Sequence, residues 1–126
     1  MNLEYQRNQR GEVEYLTFPI LEKTGMVKHL FSTRKGGVSE GYLSSMNLSF
    51  RCGDKEENVL ENYRRIGEVL GCSIEDMVLS RQTHTTNIRL VTEKDRGKGL
   101  VRPRDYEDVD GLITAEPGVV LVTHYA

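Results

Sequence analysis

The sequence predicts an α+β fold, a mixed β-sheet with flanking helices, and two observations carry that prediction. Short runs rich in β-branched and aromatic residues, at 13–18, 27–33, 77–79, 88–91, 109–114 and 119–123, have strand lengths and are bounded by Gly, Pro, Asn, Asp or Ser. Residues 56–70 instead carry a helical stripe, with Val59, Leu60, Tyr63, Ile66, Val69 and Leu70 recurring on one face. The 126 residues suffice for a single domain, 1–126, with one core.

Taken in order, residues 1–12 are polar and read as an irregular lead-in. Residues 13–18 form a first strand, ended by Pro19, which has no N–H to continue a ladder. Residues 27–33 follow a turn at Gly25 and form a second strand carrying His29. That strand delivers Arg34, Lys35, Gly36, Gly37, Val38 and Ser39: two glycines and a hydroxyl behind an arginine. Glycine lets a ligand approach main-chain N–H groups, and a guanidinium matches phosphate or carboxylate. An anion or a sugar suits this chemistry. A tight surface turn with solvated Arg34 and Lys35 has the same signature, and the spacing is not that of a P-loop.

Residues 41–51 read as a loop. Its end alternates Met46, Leu48 and Phe50 with Asn47 and Ser49, which allows a short strand with Asn47 on the polar face. Asp54 and Glu57 form a D-x-x-E pair that predicts Asp54 as the cap of the helix, and Gly71 is placed at its C′ position. Asn58 and Asn62, four apart, are assigned to the solvated face. A capped turn at 73–76 leads into the most informative stretch, where Gln82, Thr83, His84, Thr85, Thr86 and Asn87 separate two apolar runs. His84 is therefore predicted in a polar loop joining two strands. A neutral imidazole there can bind a metal or carry a proton, with amides and hydroxyls beside it to orient it. A solvated loop histidine fits the same pattern.

Residues 93–108 are polar and charged and read as a long mobile connection, in which five basic residues are offset by Asp95, Asp105, Glu107 and Asp108. Residues 109–114 form a strand with Asp110 near its start, 116–118 a turn, and 119–123 a fully buried strand. The charge balance, 17 Lys and Arg against 19 Asp and Glu, asks for neither a nucleic-acid nor a membrane partner. No apolar run reaches the roughly 18 residues of a membrane span, no signal peptide opens the sequence, and a cytoplasmic location is expected. Cys52 and Cys72 lie outside any C-x-x-C pattern and read as thiols, not a bridge or a metal pair.

Several motifs now stand in order: Phe31 through Ser39; Asn47, Leu48 and Ser49; Gly53 and Asp54 with Val59, Glu61 and Asn62; Gln82, Thr83 and His84; and Asp108 through Thr114. In that order and spacing, from about Val27 onward, the sequence resembles the YfiH/YlmD-type laccase-domain family. Once described as multicopper polyphenol oxidases, its members are better described as zinc-dependent purine nucleoside enzymes. The resemblance implies a three-layer α+β sandwich of the YfiH-like type, of which this chain would be the N-terminal part. It also implies phosphorolysis of adenosine, inosine and methylthioadenosine, with adenosine deamination as a further activity, and hence purine nucleoside and phosphate as partners.

The family holds a zinc ion with the His of a Q-x-H motif, the Cys of an A-D-C motif and a later His. Carried across, His84 is the implied zinc ligand and is catalytic together with Arg34 and Asn47. Arg34, Gly37, Ser39, Asn47, Gln82 and Asp110 are implied to bind substrate. The sequence departs from the family at His124, Tyr125 and Ala126, where Ala126 looks like the first residue of A-D-C. The remaining Cys and His ligands are expected beyond it, and the chain reads as a fragment inactive on its own. A copper oxidase is disfavoured, because His29, His84 and His124 are too few ligands. The alternative expectation is a non-catalytic binding or assembly module that self-associates through an exposed sheet edge.

Overall fold

The computed structural model describes residues 4–125, which fall into two compact units, one up to Gly71 and one from Cys72 onward. The first contains an antiparallel sheet of β1 (Gln6–Arg10), β2 (Val13–Thr17) and β3 (Phe31–Ser32), in that order. The lead-in predicted as irregular thus contains a five-residue strand. All five residues of β1 pair with β2 across a turn in which Gly11 takes φ 60°. An edge strand is held by its ladder, so its polar side chains conceal it from any hydrophobic pattern. Residues 1–3 of that lead-in lie outside the described residues.

Pro19 ends β2 and opens a four-residue helix, α1 (Pro19–Glu22). The predicted strand at 27–33 shrinks to Phe31–Ser32, and His29 precedes it. The His29 Nε2 accepts a hydrogen bond from the Phe18 N–H at 2.7 Å, and the two rings stack with centroids 5.8 Å apart. Helix α2 (Glu56–Leu70) lies where predicted and ends on Gly71 at φ 77°. Its start differs. Lys55 occupies the N-cap position with no side-chain cap, and Asp54, one residue earlier, accepts from the Lys55 N–H and from Asn58 Nδ2 through Oδ1. No strand forms at 46–50, because the Asn47 carboxamide turns the chain locally by accepting from the Ser49 N–H at 3.1 Å. Val13, Met46 and Ile66 form a core with Tyr15, Leu30, Leu48, Val69 and Leu70. Asn62, assigned to the solvated face, is fully buried.

In the second unit β4 (Met77–Leu79) pairs in parallel with β7 (Val120–Val122), and β5 (Ile88–Leu90) with β6 (Gly111–Ile113). The fully buried strand is β4, while β7 is half-buried. Val78, Val91, Tyr106 and Val109 make the core, with Leu112, Val119 and Leu121 against it.

The charged connection at 93–108 is not simply solvated, because part of its charge is paired inside. Asp95 and Lys98 are 5% and 9% exposed. The Lys98 ammonium lies 2.7 Å from Asp95 and 3.0 Å from Asp105, and the Arg89 guanidinium reaches Asp95 at 3.0 Å while stacking 4.4 Å from the Tyr106 ring centroid. Burial opposes ionisation of Asp95. The Lys98 ammonium, the Thr92 N–H and the Arg89 guanidinium outweigh it and hold the carboxyl well below its usual range. The result is an α+β fold of small sheets with few helices, as the sequence predicts. Among the described residues no helix is long and apolar enough to cross a membrane.

Candidate functional site

In the first unit the strand β3 delivers the glycine turn. Arg34 is exposed, and its Nε and Nη2 both donate to the Ser44 carbonyl, at 3.2 and 3.1 Å. The Arg34 carbonyl in turn accepts from the N–H groups of Ser45 and Met46 at 2.9 and 3.0 Å. The glycines are required by packing. A Cβ on Gly37 would overlap the Ser45 carbonyl and lie 2.6 Å from the Met46 Cα, and one on Gly36 would strike the backbone of Glu12 and Val13. Three main-chain donors of the turn are engaged internally: Gly37 to Ser45 Oγ at 3.1 Å, Val38 to Asn62 Oδ1 at 2.8 Å, and Ser39 to the Ser45 carbonyl at 3.0 Å.

Beneath that turn is a polar cluster reaching into the core. Asn62 Nδ2 donates to Ser39 Oγ at 3.0 Å and to the Asn47 carbonyl at 2.8 Å, so one buried carboxamide fastens the glycine turn and the 46–49 segment to α2. Ser39 Oγ donates to Asp54 Oδ2 at 2.5 Å, and Asn47 Nδ2 reaches the same oxygen at 3.1 Å. The Ser39 hydroxyl and then the Asn47 amide lower the Asp54 pKa to about 2, against a smaller opposing effect of burial. Ser39 and Asn47, both implied site residues, are therefore brought together. Asp54 and Asn62 join them unforeseen. The available signal for Asn62 was its position, three residues after Val59 and four before Ile66, on the buried stripe.

In the second unit the loop from Ser80 to Asn87 joins β4 to β5 as predicted. It is organised by Asp110, whose Oδ1 accepts from the N–H groups of Thr83 and Thr85 at 2.9 and 3.0 Å and whose Oδ2 accepts from the His84 N–H at 3.0 Å. Those bonds, that of Thr83 first, lower the Asp110 pKa. His84 takes φ 65° at the centre of the loop. Its side chain is exposed and makes no hydrogen bond among the described residues. Gln82 clamps the segment after β7: its Nε2 donates to the His124 carbonyl at 2.8 Å and its Oε1 accepts from the His124 N–H at 2.7 Å. Gln82, His84 and Asp110 thus share one loop system.

A zinc centre needs about three protein ligands. Among the described residues no group of three or more His, Cys, Asp or Glu gathers as a metal site, so His84 offers a single donor and these residues alone do not fit the metal. Ala126 lies outside the described residues.

The described residues form an α+β protein with a braced loop in each unit, one carrying the exposed Arg34 guanidinium and the other the exposed His84 imidazole. Residues 28–126 match the multi-copper polyphenol oxidoreductase laccase family, and the chain belongs to that family. It is 37% identical over 99 residues to the purine nucleoside phosphorylase YlmD of Geobacillus stearothermophilus, covering 75% of this chain and 35% of that protein. The crystal structure of YlmD from that organism superposes with a TM-score of 0.81 at 32% identity, over 98% of this chain and 45% of the other. The hypothetical protein YfiH of Bacillus licheniformis gives a TM-score of 0.82 at 28% identity, over 97% and 44%. A protein named adenosine deaminase RL5, from an unknown prokaryotic organism, is 31% identical over 108 residues, covering 80% of this chain and 41% of its own length. The chain therefore spans 35% to 45% of the length of these relatives.

Proposed function

We propose that this chain carries part of a purine nucleoside phosphorylase site, with adenosine, inosine and methylthioadenosine as nucleosides and adenosine deamination as a further activity. The observation that carries the reading is its 37% identity to a purine nucleoside phosphorylase across three quarters of the chain. In phosphorolysis a phosphate oxygen bonds to the ribose C1′ as the glycosidic bond breaks, and the purine leaves with the bonding pair and takes up a proton. Arg34 is the residue suited to phosphate. Two of its N–H groups are spent on the Ser44 carbonyl, which fixes the guanidinium plane, and Nη1 makes no hydrogen bond among the described residues. Gly37, Ser39 and Asn47 build the turn that carries it. In the second unit His84, in one loop system with Gln82 and Asp110, is the residue proposed as metal ligand. Zinc is the metal proposed, with His84 giving one nitrogen and the other donors coming from outside the described residues. The 126 residues by themselves are expected to be inactive.

The test is a chimera in which residues 28–126 replace the matched stretch of the Geobacillus stearothermophilus YlmD. Phosphate-dependent release of hypoxanthine from inosine is expected, and it is expected to fall sharply on Arg34→Ala or His84→Ala. A folded chimera that releases no hypoxanthine with phosphate present would sink the reading.

One observation favours a second reading, an assembly module. Strand β5 is inside out: Ile88 and Leu90 are 70% and 68% exposed, Ile113 beside them on β6 is 56% exposed, and Arg89 points inward to Asp95. An aliphatic face of this kind suits a second copy of the chain. Sedimentation velocity should then show a dimer that Leu90→Glu abolishes, and a monomer at all concentrations would remove this reading.

A further inference from the structure

We infer that Asp110 is the positioning residue for His84, fixing from the backbone the direction in which the imidazole is offered. This rests on the reading that His84 acts in the site. The N–H groups of three successive residues, Thr83, His84 and Thr85, converge on one carboxylate at 2.9, 3.0 and 3.0 Å, and the Thr85 hydroxyl adds a fourth bond at 3.1 Å. Successive N–H groups arranged in this way form a nest that binds anions, and here the anion belongs to the chain itself.

The carboxylate is anchored in turn. The Asp110 and Gly111 N–H groups both donate to the Asn87 carbonyl at 3.1 Å, at the head of β6. A second brace comes from Asp108, whose Oδ1 accepts from the Thr83 hydroxyl at 2.8 Å and whose carbonyl accepts from Asn87 Nδ2 at 2.8 Å. What these bonds hold is a conformation that a non-glycine residue seldom adopts, His84 at φ 65°. Every hydrogen bond the loop makes at residue 84 goes to its backbone, while the imidazole stands exposed. A loop needing only to turn would be served by glycine at this position. A loop built to present an imidazole accepts the unfavourable backbone and fixes it from beneath. Because the oxygens of Asp110 already receive four hydrogen bonds, its role is to orient His84, not to contact substrate.

Asp110→Ala and Asp110→Asn in the 126-residue chain test the inference. The readouts are the amide signals of residues 83–85 and the rate at which diethyl pyrocarbonate modifies His84, resolved from His29 and His124 by peptide mass analysis. Asp110→Ala is expected to keep the circular dichroism of α2, to move the three amide signals upfield, and to change the His84 rate several-fold. Sodium formate should restore both saturably by occupying the nest, where equal ionic strength of chloride does not. Asp110→Asn, which keeps an acceptor oxygen, should be intermediate. Unchanged amides and an unchanged His84 rate in Asp110→Ala would overturn the inference. So would an absence of formate rescue in a folded variant, or loss of folded signals across residues 72–125 in both variants. Failure of the phosphorylase reading is separate. Full phosphorolysis by the His84→Ala chimera would remove the role of His84 and leave the nest measurements standing.

Discussion

Replacing Asn62 by leucine, which has the same number of heavy side-chain atoms and no hydrogen-bonding group, tests what a single carboxamide contributes to the first unit. Three hydrogen bonds are lost: the Val38 N–H loses its acceptor, and the Asn47 carbonyl and the Ser39 hydroxyl lose a donor. Ser39 still donates to Asp54, so the change strands chiefly one buried N–H and one carbonyl. Each stranded buried group costs about 1–3 kcal/mol. Burying the leucine side chain returns about 1.5–3 kcal/mol of transfer free energy, an upper figure because a polar wall faces it. The expected net loss is about 1–3 kcal/mol, a sizeable part of the roughly 5–15 kcal/mol that holds a domain of this size. Urea titration followed by circular dichroism reads it directly, since α2 is by far the longest helix. With a slope of about 1–3 kcal/mol/M, the midpoint should fall by on the order of 1 M. A leucine variant unfolding at or above the parent midpoint would refute the reasoning, because it would mean that hydrophobic burial at position 62 outweighs all three bonds.

Other outcomes follow from the same geometry. Asp54 has its pKa lowered to about 2 by Ser39 and Asn47, so its stabilising contribution is complete above the ordinary carboxyl pKa near 3.9 and disappears as pH falls from there towards 2. Urea midpoints between pH 5 and pH 2.5 should therefore drop less in Asp54→Asn than in the parent, and parallel curves would contradict the assignment. Gly37→Ala sets a Cβ against the Ser45 and Met46 backbone and should cost about 2–3 kcal/mol, measurable as a lower thermal midpoint. Gln82→Ala removes both bonds to the His124 backbone at an exposed site. A loss of about 1 kcal/mol is expected, with faster hydrogen exchange at the His124 amide, and unchanged exchange there would count against the clamp.

The parts of the fold that were legible in the sequence are those set by side-chain burial. The stripe of Val59, Tyr63 and Ile66 located α2, and the apolar runs at Met77–Leu79 and Ile88–Leu90 placed His84 in the loop between them. What stayed hidden depends on which backbone a polar side chain will meet. The polar β1 is held by its ladder with β2, and no periodicity records a ladder. Asp54 satisfies the textual rule for a helix cap, yet it lies one residue too far out: one oxygen meets Lys55 and Asn58 at the helix start, and the other takes Ser39 and Asn47. Residues 93–108 looked solvated because equal numbers of opposite charges suggest a surface, whereas pairing Lys98 with Asp95 lets both be buried.

The same limit explains the composition of the two loops. Asn62, Gln82 and Asp110 each bond to main-chain atoms of a segment distant in sequence: Asn62 to Val38 and Asn47, Gln82 to His124, and Asp110 to residues 83–85. A side chain that fixes a backbone must carry the donors and acceptors that the backbone lacks, and for that reason it has the residue type expected of a ligand contact. Sequence therefore marks these positions as polar and important without separating the residue that touches a ligand from the one that aims it. The separation comes from counting bonds. Arg34 and His84 keep side-chain atoms uncommitted, whereas Asn62, Gln82 and Asp110 spend theirs on the chain. On that count Arg34 and His84 are exposed side chains with atoms to spare, and the other three hold main-chain segments in place.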